Sequence, residues 1–271
     1  MIGVICAIRA EAFRFQRNTS VFFWGFLFVP LVYVVFGIAI DLQMPTGVDQ
    51  IPKQTDPIRQ MIRATSLAGN PIAQLFVAIG AASIFGGDYT QKTWRLLGSR
   101  AHRASLMTAK WTVYIGTATA GLLCAMLGSA LAMLAIATVN GLPYAAVAQP
   151  LSSVAMAASG SILELAVFGT YVAVVAIITR SMLAAVFPAF LLSAGQAFIC
   201  VYATPPVHVT PWLGLPTFAG DIIRQSVVGV SWGSPPTAGA VALSILSLCC
   251  WTLLGFLTTL WLIQRQDWSR E

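Results

Sequence analysis

The chain has 271 residues, of which 58% are hydrophobic and 9% are charged, and its formal net charge is +6. A soluble domain carries about 25% charged residues, because its surface must stay hydrated. The composition therefore excludes soluble enzymes, disordered tails and secreted disulfide scaffolds, and it indicates an integral membrane protein. Basic residues accumulate in the cytoplasmic loops of such proteins, so the positive charge gives no reason to expect a nucleic-acid partner.

Six apolar runs are each near the length of roughly 20 residues that a helix needs to cross a bilayer. They predict an all-α, polytopic membrane protein, with residues 1–271 forming a single transmembrane domain. The expected spans are about 20–41, 70–87, 111–139, 153–178, 182–203 and 238–263. The first run is too long for the core of a signal peptide, so we expect it to be retained.

Lysine and arginine are distributed unevenly between the two sides that these spans would create. Eleven lie in the terminal segments and the loops on the same side, and four lie in the loops on the other side. The excess of basic residues in cytoplasmic loops predicts that both termini are cytoplasmic. We therefore expect a multi-pass protein in the lipid bilayer of the bacterial inner (plasma) membrane.

The connection after the first span contains the signals of a short helix. Asp56 precedes Pro57, and an N-cap acceptor followed by proline is typical of a helix start. Gly69 is a suitable terminator. The residues that share the apolar face between these signals are Ile58, Met61, Ile62 and Thr65. The pattern predicts a helix that lies on the membrane surface with its apolar side towards lipid.

The connection before the last span, 204–237, contains six prolines. Its aromatic content predicts short interfacial or re-entrant helices anchored by Trp212 and Trp232. A disordered loop is the alternative that composition leaves open.

No motif for ATP hydrolysis is present in the sequence. A phosphate-binding loop needs a lysine that follows a glycine, and none of the three lysines does. Residues 229–233 match the G-x-S-x-G pattern, but that pattern functions between a strand and a helix of an α/β sheet. The five cysteines include no C-x-x-C pair and are interpreted as small buried hydrophobes. We therefore expect no enzyme activity, no cofactor and no metal site in this chain.

The segment 88–110 carries five basic residues and has two distinct faces when it is drawn as a helix. The polar face holds Asp88, Lys92, Arg95, Ser99 and Arg103, and the apolar face holds Trp94, Leu97, Ala101 and Ala104. Because Gly98 interrupts the pattern, we predict a helix over about 88–97 and a turn before the third span. The alternative is an ordinary amphipathic juxtamembrane helix attracted to anionic lipid.

At these residues the sequence resembles the type-2 permeases of ABC transporters. In that family an acidic residue near the membrane precedes a Gly-Thr-aromatic/Leu-Arg-Leu-Leu-Leu-Ser-Arg-Pro run, followed by a basic residue and a lysine that opens the third span. Asp88 is similar to the acidic position, and residues 93–97 and 99–100 match the run. Arg103 and Lys110 match the two basic positions.

The sequence departs from the family pattern at three positions. Lys92 stands where glycine is usual, Gly98 replaces a leucine and Ala101 replaces the proline, without changing the register of the helix. The six-span layout, the amphipathic N-terminus and the structured connection before the last span also resemble the family.

The resemblance implies a permease that pairs with a second copy of itself or with a sister permease. It also implies two copies of a separate ATP-binding subunit, which would hold ATP and Mg²⁺. The helix at 88–97 would be the coupling helix, inserted in a cleft of that subunit, with Gly86 and Gly87 as a hinge. The residues implied in this coupling are Asp88, Thr93, Trp94, Arg95, Leu97 and Arg100.

Glu164 is the carboxylate that lies well inside a predicted span. An ionisable group at that depth costs about 2.5–3.5 kcal/mol, so it should face protein or water. Glu164 either lines a substrate path or makes a hydrogen-bonded helix contact, with Ser161 or a partner helix as its neighbour. The small residues Gly121, Ala125, Gly128 and Ala132 in the third span predict close helix packing.

These observations predict the permease subunit of an ABC exporter with an unidentified substrate. The alternative is a six-helix membrane scaffold or assembly factor without an ATPase partner. A secondary transporter ranks last, because such proteins usually show an internal repeat or several intramembrane charges.

Overall fold

The computed structural model of the chain describes residues 2–43, 56–91, 102–141, 150–202, 214–228 and 236–266. All regular structure in these ranges is helical, which confirms the all-α fold class. The helices are α1 (Ile2–Arg17), α2 (Thr19–Phe22), α3 (Phe28–Gln43), α4 (Pro57–Ala64), α5 (Pro71–Thr90), α6 (Arg103–Asn140), α7 (Leu151–Thr179), α8 (Met182–Tyr202), α9 (Pro216–Val228) and α10 (Ala238–Arg265). A π-helical turn, Phe23–Leu27, joins α2 to α3, and a 3-10 turn, Thr65–Gly69, follows α4.

Six helical segments in the described ranges are long and apolar enough to cross a membrane, which confirms the six predicted spans. They are Thr19–Ala39, Pro71–Thr90, Arg103–Asn140, Leu151–Thr179, Met182–Cys200 and Ala238–Arg265. With six spans, α1 and the end of α10 lie on one side, which we call the terminal side. Helices α4 and α9 belong to connections on the opposite side.

The third spanning helix is longer than its apolar run predicted. Helix α6 has 38 residues and begins at Arg103 rather than near 111. Its first turns include Arg103 and Lys110, and both side chains have partners in neighbouring helices. Because these polar groups are satisfied by protein, the helix continues beyond the apolar sequence.

Local signals fix the ends of several helices. The Asn70 side chain accepts hydrogen bonds from the backbone N–H groups of Ile72 and Ala73, at 2.9 and 3.2 Å, and so caps α5. Thr237 caps α10 in the same way through Ala240 N–H, at 3.2 Å. Helix α6 ends at Asn140, and the next residue, Gly141, has a φ of 62°, the left-handed conformation that glycine adopts most readily.

Small residues allow close approach between helices, as the pattern of small residues in the third span predicted. A Cβ at Gly121 would lie 2.6 Å from the Phe26 carbonyl oxygen, so α6 and the first span contact each other through backbone. A Cβ at Gly25 would lie 2.7 Å from Gly80 Cα, which brings the first and second spans together. Ala125 is fully buried against α4. The packing role predicted for this stripe is confirmed.

The apolar face of helix α4 differs from its predicted orientation. The predicted start is confirmed, because Asp56 Oδ1 accepts a hydrogen bond from Arg59 N–H at 3.0 Å and Pro57 is the first residue. The expectation that its apolar side faces lipid is wrong, since Ile62 is buried in a cluster with Leu122 and Met126 of α6. The apolar face therefore packs on protein, and lipid contact with this face is not needed to bury it.

Helix α9 is a re-entrant helix, one of the two arrangements predicted for its connection. At its start, the Trp251 indole N–H donates to the Gly214 carbonyl at 2.9 Å, and Trp251 lies in the middle of α10. At its end, Val227 packs with Val154 and Ala157 in the first turns of α7. Helix α9 thus extends from the middle of the bundle towards the opposite side. The predicted anchors Trp212 and Trp232 lie outside the described residues.

The cysteines differ in part from expectation. All five are free, but Cys6, Cys124, Cys249 and Cys250 are exposed on the chain, and Cys200 is half-buried. The prediction that they are buried is wrong. A helix in a membrane can direct small apolar side chains outward, because lipid removes the penalty that water would impose.

Candidate functional site

Four charged side chains meet where three helices converge on the terminal side, and we call them the terminal-side cluster: Glu11, Arg14, Asp88 and Lys110. Helix α1 supplies Glu11 and Arg14, α5 supplies Asp88 and α6 supplies Lys110. Lys110 Nζ lies 2.7 Å from Glu11 Oε1 and 2.7 Å from Asp88 Oδ2. Arg14 pairs with Asp88 and lies 3.1 Å from Glu11. The cluster links the N-terminal helix to the second and third spans.

The burial of this cluster makes its pairing important for stability. Asp88 is fully buried and the Lys110 side chain is 2% exposed. Lys110 also donates a hydrogen bond to the Ile84 carbonyl at 2.6 Å. The two acids and two bases have no net formal charge. Buried charges that are paired can be tolerated, whereas removal of one partner leaves a costly isolated charge.

The position of Asp88 corrects one expectation about the coupling helix. Helix α5 continues through Asp88 and ends at Thr90, so Asp88 does not begin a separate helix. Its carboxylate contacts Arg14 and Lys110 and is not exposed for an ATP-binding subunit. Gly86 and Gly87 lie inside the same continuous helix. The other predicted coupling residues lie outside the described residues: Thr93, Trp94, Arg95, Leu97 and Arg100.

The residues that flank the segment 92–101 contact the end of the last spanning helix. Before the segment, the Tyr89 hydroxyl donates to Gln266 Oε1 at 2.7 Å. After it, Arg103 Nη1 donates to the carbonyls of Gln264 and Gln266, both at 2.9 Å. Gln266 in turn donates to the Ile177 carbonyl near the end of α7, at 2.6 Å. Both flanks of this segment are therefore attached to α10 and, through Gln266, to α7.

A second group of charges lies inside the bundle, and we call Glu164, Asp221 and Arg224 the membrane-interior cluster. Arg224 Nη1 donates to Glu164 Oε2 at 2.6 Å, and Nη2 donates to Asp221 Oδ1 at 2.6 Å. Arg224 also reaches the Ser161 hydroxyl at 3.4 Å, and that hydroxyl donates to the Thr65 carbonyl at 3.1 Å. The cluster thus joins α7, α9 and the 3-10 turn after α4.

Two glycines allow these elements to approach the Glu164 carboxylate. A Cβ at Gly220 would lie 2.5 Å from Glu164 Oε2, and a Cβ at Gly69 would lie 2.8 Å from Arg224 Nη2. Glu164 is 2% exposed, and its Oε1 has no hydrogen-bond donor within the described ranges. The close fit leaves no space for a larger side chain at either glycine.

Glu164 therefore makes a helix contact in this structure, with a partner that was not predicted. Arg224 lies in the connection 204–237, and the expected neighbour Ser161 bonds Arg224 rather than Glu164. A substrate path along Glu164 stays a prediction. The sequence did contain a signal for the pair: Arg224 is the basic residue of a re-entrant segment, and an intramembrane carboxylate needs an opposite charge.

Arg224 has two acidic partners in these surroundings, Glu164 and Asp221, and its guanidinium lies 2.6 Å from a carboxylate oxygen of each. Asp221 is partly exposed, with 40% of its side chain accessible, so the surplus acidic group of the cluster lies at its open edge.

A cavity of about 310 Å³ opens between α7, α8 and α10. Its walls are mainly apolar and include Tyr171, Pro188, Leu192, Trp251 and Gly255. Glu164 is not among the residues that line it. No three residues of the types His, Cys, Asp and Glu are grouped to hold a metal ion in the part of the chain that the structure describes. The two charge clusters join helices through ion pairs.

Comparisons with protein-family models and with curated proteins gave no match for this chain.

Proposed function

We propose that this chain is the permease subunit of an ATP-driven ABC transporter and that it exports its substrate across a bacterial inner membrane. Both termini and the segment 88–110 lie in the cytoplasm in this proposal, as the distribution of basic residues favours. ATP and Mg²⁺ bind to two copies of a separate subunit. A second permease copy, or a sister permease, completes the membrane part.

One observation supports this proposal above the others: the described residues on both sides of the segment 92–101 contact several helices. At its start, Asp88 contacts Lys110 of α6 and Arg14 of α1. On its two flanks, Tyr89 and Arg103 contact the end of α10. A force applied to this segment would therefore reach α1, α6 and α10 directly, and α7 through Gln266. Such connections are what a permease needs to receive motion from an ATPase.

The resemblance of the sequence within this segment supports the same function. Trp94 and Arg95 belong to the residue types that dominate protein interfaces, because they combine a large contact area with directional polar groups. In the proposed complex Trp94 and Arg95 insert in a cleft of the ATP-binding subunit, together with Thr93, Leu97 and Arg100.

The proposal is tested with Trp94→Ala combined with Arg95→Glu. The chain is purified in mild detergent with its ATP-binding subunit, reconstituted, and assayed for ATPase activity with and without the permease. We expect the double variant to abolish the stimulated ATPase activity. The matched control is Arg59→Glu combined with Ile58→Ala on α4, at the opposite side of the membrane, and it should leave stimulation unchanged.

The same purification tests the alternative of a membrane scaffold or assembly factor. The paired and buried state of Glu164 suits a scaffold as well as a permease, since neither role requires an open carboxylate. A scaffold would co-purify with no ATPase subunit. Unchanged stimulation by the double variant would exclude the coupling role of Trp94 and Arg95 even if an ATPase is present.

A further inference from the structure

Helix α1 has two faces of different character. Its inner face packs against α6 and contains the buried Phe15 together with Glu11 and Arg14 of the terminal-side cluster. Its outer face consists of exposed side chains: Ile5, Cys6, Arg9, Phe13, Gln16 and Arg17. Ile5 and Phe13, which precede the first span, are 52% and 62% exposed.

Charge is segregated between these faces. The acidic residue of α1, Glu11, points inward to Lys110, so the outer face is apolar and basic. Arg9 and Arg17 make no ion pair among the described residues, and the Arg17 guanidinium lies 5.8 Å from the centre of the Phe13 ring. A helix face that combines exposed apolar side chains with arginines and lacks acids is typical of helices that lie in a membrane interface.

The position of α1 places this face at the boundary of the bilayer. The helix ends at Arg17, Asn18 is not helical, and the first span begins at Thr19. The last span shows a similar pair at its end on the same side, where Arg265 lies 4.1 Å from the ring centre of the half-exposed Trp261. Aromatic and arginine side chains at the ends of spans mark the level of the lipid headgroups.

We propose that the outer face of α1 binds the anionic phospholipid headgroups of the leaflet on the terminal side. Ile5 and Phe13 enter the boundary between headgroups and acyl chains, while Arg9 and Arg17 contact the phosphates. Each arginine near an anionic surface contributes about a fivefold gain in binding. This inference does not depend on the proposed transport function, because the lipid surface would fix α1 in any six-span protein with this face.

The chain contains its own reporter for this face, the exposed Cys6. The experiment uses the full chain with Cys124, Cys200, Cys249 and Cys250 replaced by alanine and a polarity-sensitive fluorophore on Cys6. The protein is reconstituted in vesicles of phosphatidylcholine alone and in vesicles that also contain phosphatidylglycerol. We measure the emission of the fluorophore and its quenching by a spin label attached to the lipid headgroup, at low and at high salt.

With phosphatidylglycerol we expect emission at shorter wavelength and stronger quenching, and high salt should reverse both changes. Arg9→Gln combined with Arg17→Gln should remove the response to phosphatidylglycerol, because each arginine contributes about fivefold to the affinity of α1 for the anionic surface. The matched control changes two exposed arginines of α4, Arg59→Gln and Arg63→Gln, and should keep the full response. Arg9→Lys with Arg17→Lys should also keep it, which separates lost charge from misfolding.

Equal emission and quenching in both kinds of vesicle would overturn the proposal. A response to phosphatidylglycerol that survives in the Arg9 and Arg17 glutamine variant would overturn it as well. If an added ATP-binding subunit, and not phosphatidylglycerol, changes the emission of the fluorophore on Cys6, the outer face of α1 binds protein. That outcome would also contradict the proposal, while leaving the transport function open.

Discussion

The terminal-side cluster and the membrane-interior cluster satisfy buried charges in different ways. In the first, two acids and two bases from three helices alternate, so that buried Asp88 and Lys110 each contact an opposite charge. In the second, Arg224 forms ion pairs with both Glu164 and Asp221, and the carboxylate of Asp221, which is the acid in excess, is partly exposed.

The difference shows how depth controls the arrangement of charge. Near the ends of the spans, four charges can converge because several helix ends meet there. Near the middle of α7, the opposite charge for Glu164 comes from α9, a helix that enters from outside the spans. A re-entrant helix can therefore supply a polar group at a depth where apolar spans supply few.

The largest expected effect is the loss of Lys110 from the terminal-side cluster. Lys110→Met removes the ammonium group between Asp88 and Glu11 and leaves Arg14 as the cation beside both acids, so we expect a loss of at most about 3–5 kcal/mol in stability. The measurement is the thermal unfolding midpoint in detergent, with Arg59→Met on the exposed side of α4 as the control. If both variants unfold at the same temperature, the cluster does not stabilise the fold. Adding Asp88→Asn to Lys110→Met should recover part of the loss.

The corresponding change in the membrane-interior cluster is Arg224→Met, which leaves Glu164 without a cation. We expect a loss of about 2.5–3.5 kcal/mol, the cost of a charge in a membrane interior. A double-mutant cycle with Glu164→Gln measures the coupling free energy between Arg224 and Glu164, and additive effects of the two changes on stability would contradict the pairing.

Glu164→Gln alone tests the substrate path: lost transport with normal assembly supports a path, and lost assembly supports a helix contact.

Glycines beside the two clusters give a smaller and steric comparison. Gly220→Ala brings a Cβ to 2.5 Å from Glu164 Oε2, so we expect a loss of about 1–3 kcal/mol. Gly87→Ala brings a Cβ no closer than 3.8 Å to Arg14 Nη2, which is ordinary contact, and alanine suits a helix better than glycine does. A Gly220→Ala chain as stable as Gly87→Ala would show that the membrane-interior cluster is not tightly packed.

The smallest expected effect is the loss of one hydrogen bond at the flank of segment 92–101. Tyr89→Phe removes the bond to Gln266, which should cost about 1 kcal/mol of stability. In the proposed complex it should also weaken ATPase stimulation, since the segment would be attached less firmly to α10. Tyr202→Phe, at an exposed site on the opposite side, is the control. Full stimulation by Tyr89→Phe would argue against transmission through α10.

The sequence predicted the spans well and the charged contacts poorly. The spans follow from local apolar length, and the Asp56 cap follows from local hydrogen bonding, so both were readable from neighbouring residues. The pairing of Glu164 with Arg224 joins residues far apart in sequence, and no local pattern encodes it. Asp88 was assigned to the polar face of a coupling helix because periodicity alone does not show where a spanning helix ends.

The sequence alone determined that this chain is a six-span helical membrane protein, because the bilayer sets the length and polarity of a spanning helix independently of the other helices. Tertiary structure decided which surfaces α4 and α9 cover and which charges meet. Burial of a charge is tolerable only beside its partner, and that partner is brought close by packing between distant segments. The depth and the ion pairing of Glu164 are therefore determined by the packing of the whole fold.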